Sequence, residues 1–322
     1  MEWAVFSLAE RANWVVREMA AVRPGEQVLV AADYASDFAV VEALTAAAAA
    51  AGAEPTVAVM PPRPHAGAPA TRVMWHAAGG ADVVICPSTT VLHFTREIRQ
   101  ALTEKRIRLV SISIGRDEML QGAGSADPQE VRALTQRVYD VLAPARALRI
   151  TAANGTEFHC SVEGRLPNLS IGRADEPGRI GTFPFGEVPH APIEGTAEGT
   201  VVFDGPMHTV GHLSEPVRYE VRAGRVVEVA GGPEAERLRG LIEATENADV
   251  IGEVSVGTNP AARLDGDVQE AKKRLGCVHI AVGDATGLRG LTWSPLHIDG
   301  VIRRPTVWAD DRLVVEAGAL AL

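Results

Sequence analysis

The residues 294–300 read Ser-Pro-Leu-His-Ile-Asp-Gly. In a strand, residues two apart point to one face, so His297 and Asp299 project together and Leu296 and Ile298 project the other way. An imidazole and a carboxylate at that spacing form a compact pair for a divalent cation. They also suit a simple hydrogen bond to each other. A second segment, residues 276–284, puts Val278, Ile280 and Val282 on one face. His279 stands on the opposite face between Cys277 and Ala281, both small, which leaves room for another group or for a core histidine that satisfies itself. In a third, residues 251–260, Val254 and Val256 face one way and Glu253 and Ser255 the other. Carboxylates are rarely buried unless paired or bound to metal. The fourth, residues 185–192, is dense in proline and glycine and carries Glu187 as a ligand, a base or a surface residue. Two histidines and three carboxylates suit Zn²⁺, Mn²⁺, Co²⁺ or Fe²⁺, and a pair of ions if one carboxylate bridges. His65, His76, His93, His159, His190, His208 and His212 lack such neighbours and read as structural or surface residues.

These segments need a scaffold. The chain has 322 residues, 46% hydrophobic and 22% charged, enough for one large or two medium domains. Up to about residue 145, helix-period and strand-like runs alternate. Residues 8–22 have helical spacing, residues 27–32 form an apolar run, and Asp37 is placed to cap a helix that continues into the alanines of 46–51. Strands are expected at 56–60, 82–86 and 107–114, and helices at 69–78 and 94–103. A further helix opens at Asp127-Pro128. This rhythm predicts an α/β domain with a parallel sheet. The loops 33–37 and 87–90 would lie at its carboxyl edge, yet neither holds a GxGxxG or GxxxxGK[ST] pattern. Beyond 145, short strand-like runs separated by Asn-Gly, Ala-Gly and Gly-Gly turns predict a mainly antiparallel β domain, with one helix near 234–246. The expected domains are therefore 1–145 (α/β) and 146–322 (β-rich, metal-binding).

The formal net charge of −10 disfavours nucleic acid as a partner. Three scattered cysteines, with no CxxC, fit a reducing, cytoplasmic setting. No leader pattern is seen at the N-terminus, and no apolar run is long enough to span a membrane.

In this order, Gly186-Glu187-Val188 with Ala191-Pro192, Gly252-Glu253-Val254 with 257–260, residues 276–283 and His297-Ile298-Asp299 resemble the aminopeptidase T family of metallopeptidases. The resemblance covers most of residues 145–320. It implies an N-terminal α/β domain, a β-rich C-terminal domain, a homodimer and a dinuclear zinc or cobalt site. The implied ligands are Glu187, Glu253, His279, His297 and Asp299. On that reading the chain is an aminopeptidase-like hydrolase acting on a short peptide or small amide, with metal-activated water and Glu187 as catalytic carboxylate. One position departs: the family places a tyrosine where this chain has Thr286. Residues 174–179 and 197–199 resemble instead a branch of the same fold that opens a dihydroxypyridine ring with one Fe²⁺ and O₂. That branch implies two histidines and one aspartate as ligands; His297 and Asp299 match, and the remaining histidine falls at Ser255. The ring-cleaving dioxygenase is thus the alternative expectation, and a ligand-binding scaffold without turnover a third.

Overall fold

In a computed structural model the structure describes residues 2–64, 68–92, 95–112 and 114–322. His65, His93 and the expected helix start at Phe94 lie outside the described residues, as does Ser113 in the expected strand. The chain forms two compact units, residues 1–125 with 171–185, and residues 126–170 with 186–322.

The first unit is built on a five-stranded parallel sheet. Its order is Glu54–Met60, Gln27–Asp33, Val83–Cys86, Arg108–Ile112 and Ile180–Phe183. In the three inner strands, short runs of Val, Ile, Leu and Ala are buried from both sides, as a parallel sheet requires, whereas the edge strand Glu54–Met60 is largely exposed. Asp37 caps the helix Phe38–Ala50, accepting from the Ala39 amide at 3.1 Å. The two loops at the carboxyl edge are tied together by one buried carboxylate. Asp33 accepts from the Thr89 amide at 2.7 Å, the Thr89 hydroxyl at 2.8 Å and the Ala35 amide at 2.9 Å.

The second unit holds two antiparallel sheets. The larger has eight strands, in the order Arg225–Ala230, Val217–Arg222, Glu198–Phe203, Glu157–Ser161, Ala147–Ala152, Pro305–Ala309, Arg312–Glu316 and Ala319–Leu320. The smaller runs His297–Ile302, Val278–Gly283, Ile251–Gly257 and Glu187–His190. One apolar core joins them. Phe158, Phe203 and Tyr219 of the large sheet share it with Val254, Val256, Val278, Ile280, Val282, Ile298 and Ile302 of the small one. Every second residue of the small sheet is thereby committed to this core, and the intervening residues to its other face.

An α/β unit with a parallel sheet, together with an antiparallel β-rich unit, is the fold class the sequence predicts. The division of the chain differs from a single cut near 145. Helix Pro128–Leu142 puts Val138, Val141 and Leu142 into the core of the second unit. Strand Ile180–Phe183 pairs with Arg108–Ile112 and so returns to the first. Among the described residues no helix is long and apolar enough to cross a membrane.

Candidate metal centre

The second face of the small sheet carries Glu187, Glu253, Ser255, His279, His297 and Asp299, all buried. Strand register explains their convergence. Ala281 pairs with Glu253 on one side and Asp299 on the other, so the two carboxylates flank a methyl group. His297 lies opposite Gly283, one step along from Asp299; His279 lies opposite Ser255, one step the other way. Small residues in the middle strand give the four larger side chains room to meet. Glu187 enters from the fourth strand, opposite Gly257.

Glu253 lies at the centre of the cluster. Its Oε1 accepts from His279 Nε2 at 2.9 Å, and its Oε2 lies 3.1 Å from His297 Nε2. Asp299 Oδ1 is 3.2 Å from His297 Nε2 and 3.9 Å from His279 Nε2. Glu187 Oε2 is 3.7 Å from His279 Nε2. All five residues named from the sequence are therefore brought together. They form two overlapping groups, Glu187–Glu253–His279 and Glu253–His297–Asp299, each with donor atoms within 4.8 Å of one another.

Three further residues join them that sequence reasoning missed. Helix Val268–Ala271, capped by Asp267, is docked on this face by Val268, Ala271, Cys277 and Val301. The two residues after it turn inward and are buried. Lys272 Nζ donates to Asp299 Oδ2 at 2.7 Å, and Lys273 Nζ donates to Glu187 Oε1. His208 Nδ1 lies 3.1 Å from Asp299 Oδ2, its backbone amide donating to the Asp299 carbonyl. A Lys-Lys pair between acidic residues and Arg274 reads as a solvated surface, so no signal in the sequence marks it. The Met207–Gly300 bridge that brings in His208 links distant segments and leaves no sequence pattern either.

The charges support one another. Burial opposes ionisation of Asp299, but Lys272, His297 and His208 hold its carboxyl well below the usual range. Burial likewise pushes Glu253 upward, and the hydrogen bonds from His279 and His297 outweigh it. Glu187 is held low against burial by Lys273 and Lys272. Burial also disfavours the charged His297, yet Asp299 and Glu253 raise it to about 10. The two lysines diverge. Burial, with Lys272 as a like-charged neighbour, brings Lys273 down to about 8, whereas Asp299, Glu187 and Glu253 lift Lys272 above its ordinary value.

These residues fit a divalent ion. Asp299 Oδ1 is a buried oxygen with no hydrogen-bond partner among the described residues, and it faces His297 Nε2 at 3.2 Å. A buried, unsatisfied anionic oxygen is costly unless a cation meets it. Carboxylate oxygen and imidazole nitrogen are donors for Fe²⁺, Mn²⁺, Co²⁺ or Zn²⁺ alike. Thr286, at the position where a tyrosine was expected, donates its hydroxyl to Asp284 Oδ1 at 2.8 Å.

Three comparisons place the chain among known proteins. A 2,5-dihydroxypyridine 5,6-dioxygenase from Pseudomonas putida KT2440 is 28% identical over 257 residues, which are 75% of this chain and 71% of that protein. The solved structure of 2,5-dihydroxypyridine dioxygenase from the same organism superposes with a TM-score of 0.80 at 24% identity, covering 98% of this chain and 96% of that one. AmpT from Thermus thermophilus superposes with a TM-score of 0.70 at 18% identity, covering 98% and 99%. At these identities both structures show the shared fold.

The expectation of a hydrolase of the aminopeptidase T type is thereby corrected, together with the metallopeptidase assignment. What the chain shares with both solved proteins is the fold, and the motifs around Glu187, Glu253, His279 and His297 lie on that fold. They do not report the reaction, and the departure at Thr286 was the local sign of this. The family described as NicX, 2,5-dihydroxypyridine 5,6-dioxygenase, matches residues 14–322, and the chain belongs to that family.

Proposed function

We propose that this protein is a metal-dependent dioxygenase that opens the ring of a dihydroxylated pyridine or a close N-heteroaromatic analogue. The observation that carries the reading is the family match over residues 14–322. In support, Glu253–His297–Asp299 offers one imidazole and two carboxylates, donor types that suit Fe²⁺. His297, Asp299 and Glu253 would hold the ion. A bound redox-active divalent ion supplies electron transfer to dioxygen and a positive charge for an ionised ring hydroxyl.

The chain's own residues then do the remaining work. Lys272 and His208 occupy the outer oxygen of Asp299 and fix the direction of the inner one. Glu187 Oε2, beside His279 Nε2, is placed to take the proton that a ring hydroxyl gives up on binding. Burial of the whole set keeps bulk water from competing for that proton.

The test is anaerobic purification, loading with Fe²⁺, and addition of 2,5-dihydroxypyridine in oxygenated buffer. Oxygen uptake should match the loss of the ring's ultraviolet absorbance in equal molar amounts. If neither that compound nor its positional isomers drive oxygen uptake, the reading is wrong.

A further inference from the structure

Two donor groups sharing Glu253 invite two ions. The chain treats the groups differently, and the difference lies in which atoms are already engaged. His297 Nδ1 donates to the Asp284 carbonyl at 2.8 Å, which leaves Nε2 as the nitrogen turned toward Glu253 and Asp299. Metal-bound histidines almost always have their other nitrogen held in this way. In His279 the pattern is reversed. Nε2 donates to Glu253 at 2.9 Å, and Nδ1 is buried with no hydrogen-bond partner among the described residues. To ligate through Nε2, His279 would have to carry its proton on Nδ1, where nothing accepts it.

The carboxylates repeat the asymmetry. Glu187 Oε1 is engaged by a fully buried ammonium, that of Lys273. With His297 neutral, as ligation requires, Glu187, Glu253 and Asp299 face two ammonium groups, Lys272 and Lys273, so the buried set carries roughly one net negative charge. A single divalent ion reverses that to one positive charge. A second would leave a strongly positive interior with no counter-charge.

Resting on the metal-centre reading above, we propose that Lys273 acts as the resident cation of the Glu187–Glu253–His279 group and excludes a second divalent ion from it. The centre then takes one ion, at Glu253–His297–Asp299, and Glu187 and His279 stay available for proton transfer. Lys273 is a positioning residue here: it acts through Glu187.

The experiment is equilibrium dialysis of the full chain against Mn²⁺ alone, with electron paramagnetic resonance to detect coupled ions. Wild type should bind one Mn²⁺ per chain with an uncoupled spectrum. Lys273→Met, which removes the charge but keeps the length, should bind two and show exchange coupling. Glu187→Gln in the otherwise native chain should still bind one, with an affinity within about threefold of wild type, and this arm holds even where Lys273→Met fails to fold. Two ions in wild type, one in a folded Lys273→Met, or loss of the ion in Glu187→Gln each overturn the proposal. Ring opening by a protein that holds two ions would remove this inference and leave the reaction standing. One ion without ring opening would do the reverse.

Discussion

His297 Nδ1 lies 2.8 Å from the main-chain carbonyl of Asp284, two residues before Thr286, whose hydroxyl caps the Asp284 side chain. A carbonyl accepts only, so Nδ1 carries the proton and Nε2 is aimed at the cluster. The loop that follows strand Val278–Gly283 thus orients a residue of the next strand.

That orientation makes His297 the ligand on which the centre depends most. Losing an outer partner of a metal ligand typically lowers affinity about 10–100-fold, so losing the ligand itself should lower it by more than about 100-fold. His297→Ala, dialysed against micromolar metal and assayed by elemental analysis, should emerge essentially metal-free. Thr286→Val should lose only a few-fold, because the carbonyl that holds His297 remains. A His297→Ala protein with full metal content removes the site assignment.

Lys272 should matter most when no ion is bound. Its ammonium is the 2.7 Å partner of a fully buried Asp299 oxygen. Breaking a buried ion pair from one side costs about 3–5 kcal/mol, because the remaining charge is left uncompensated. Lys272→Met should therefore be roughly 3 kcal/mol less stable in metal-free buffer. Added Mn²⁺ should narrow the gap, since the ion compensates the Asp299 charge that Lys272 leaves behind and so binds and stabilises the folded variant more than the wild type. Urea unfolding with and without Mn²⁺ gives both numbers, and an equal gap in the two conditions contradicts the account.

How much of this was legible beforehand follows from periodicity. His297 and Asp299, Glu253 and Ser255, and His279 between Cys277 and Ala281 all betray themselves by alternation, because the small sheet buries one face in a common core. Asp37 and Asp127 announce their helices by the side-chain caps they form. Lys272 and Lys273 left no such trace. They follow a helix of four residues, too short for a period, and a long aliphatic stem that turns inward has the same letter as one that turns to water. Strand Ile180–Phe183 was missed as a member of the parallel sheet because its partner, Arg108–Ile112, is far away in sequence and the antiparallel strands intervene. The reaction was misread for a different reason. Ligand spacing records where a fold can hold a cation, and it does not say whether that cation activates water or dioxygen.

Gly283 tests the strand geometry directly. It faces His297 across the ladder with φ at +101°, and a Cβ there would sit 2.1 Å from the Leu296 carbonyl oxygen. Backbone strain of about 1–3 kcal/mol adds to a steric cost of similar size, so Gly283→Ala should lose roughly 3 kcal/mol or more. The shift must also move His297, and metal affinity should fall with it. A variant within about 0.5 kcal/mol of wild type would mean that this contact is not made.

His190 gives the fold an acid limit that is separate from the metal. It is fully buried on strand Glu187–His190, with Nε2 donating to the Arg165 carbonyl at 2.6 Å and Nδ1 unpartnered among the described residues. Burial is the main cause that brings its pKa from 6.5 down to about 4. The folded value lies below the unfolded one, so between these two pH values the unfolded chain binds more protons. Stability then rises with pH across this window and is lost as pH falls through it. The penalty attributable to this one group should reach roughly 1.4 kcal/mol at pH 5.5 and about 3 kcal/mol in full, since each tenfold loss of proton affinity on folding is worth about 1.36 kcal/mol. His190→Gln keeps an amide donor for Arg165 but cannot titrate. The stability difference between wild type and His190→Gln, measured by urea unfolding at pH 7.5 and pH 5.5, should move by about 1 kcal/mol or more in favour of the variant at the lower pH. An unchanged difference would show that His190 is charged, or solvated, in the folded protein.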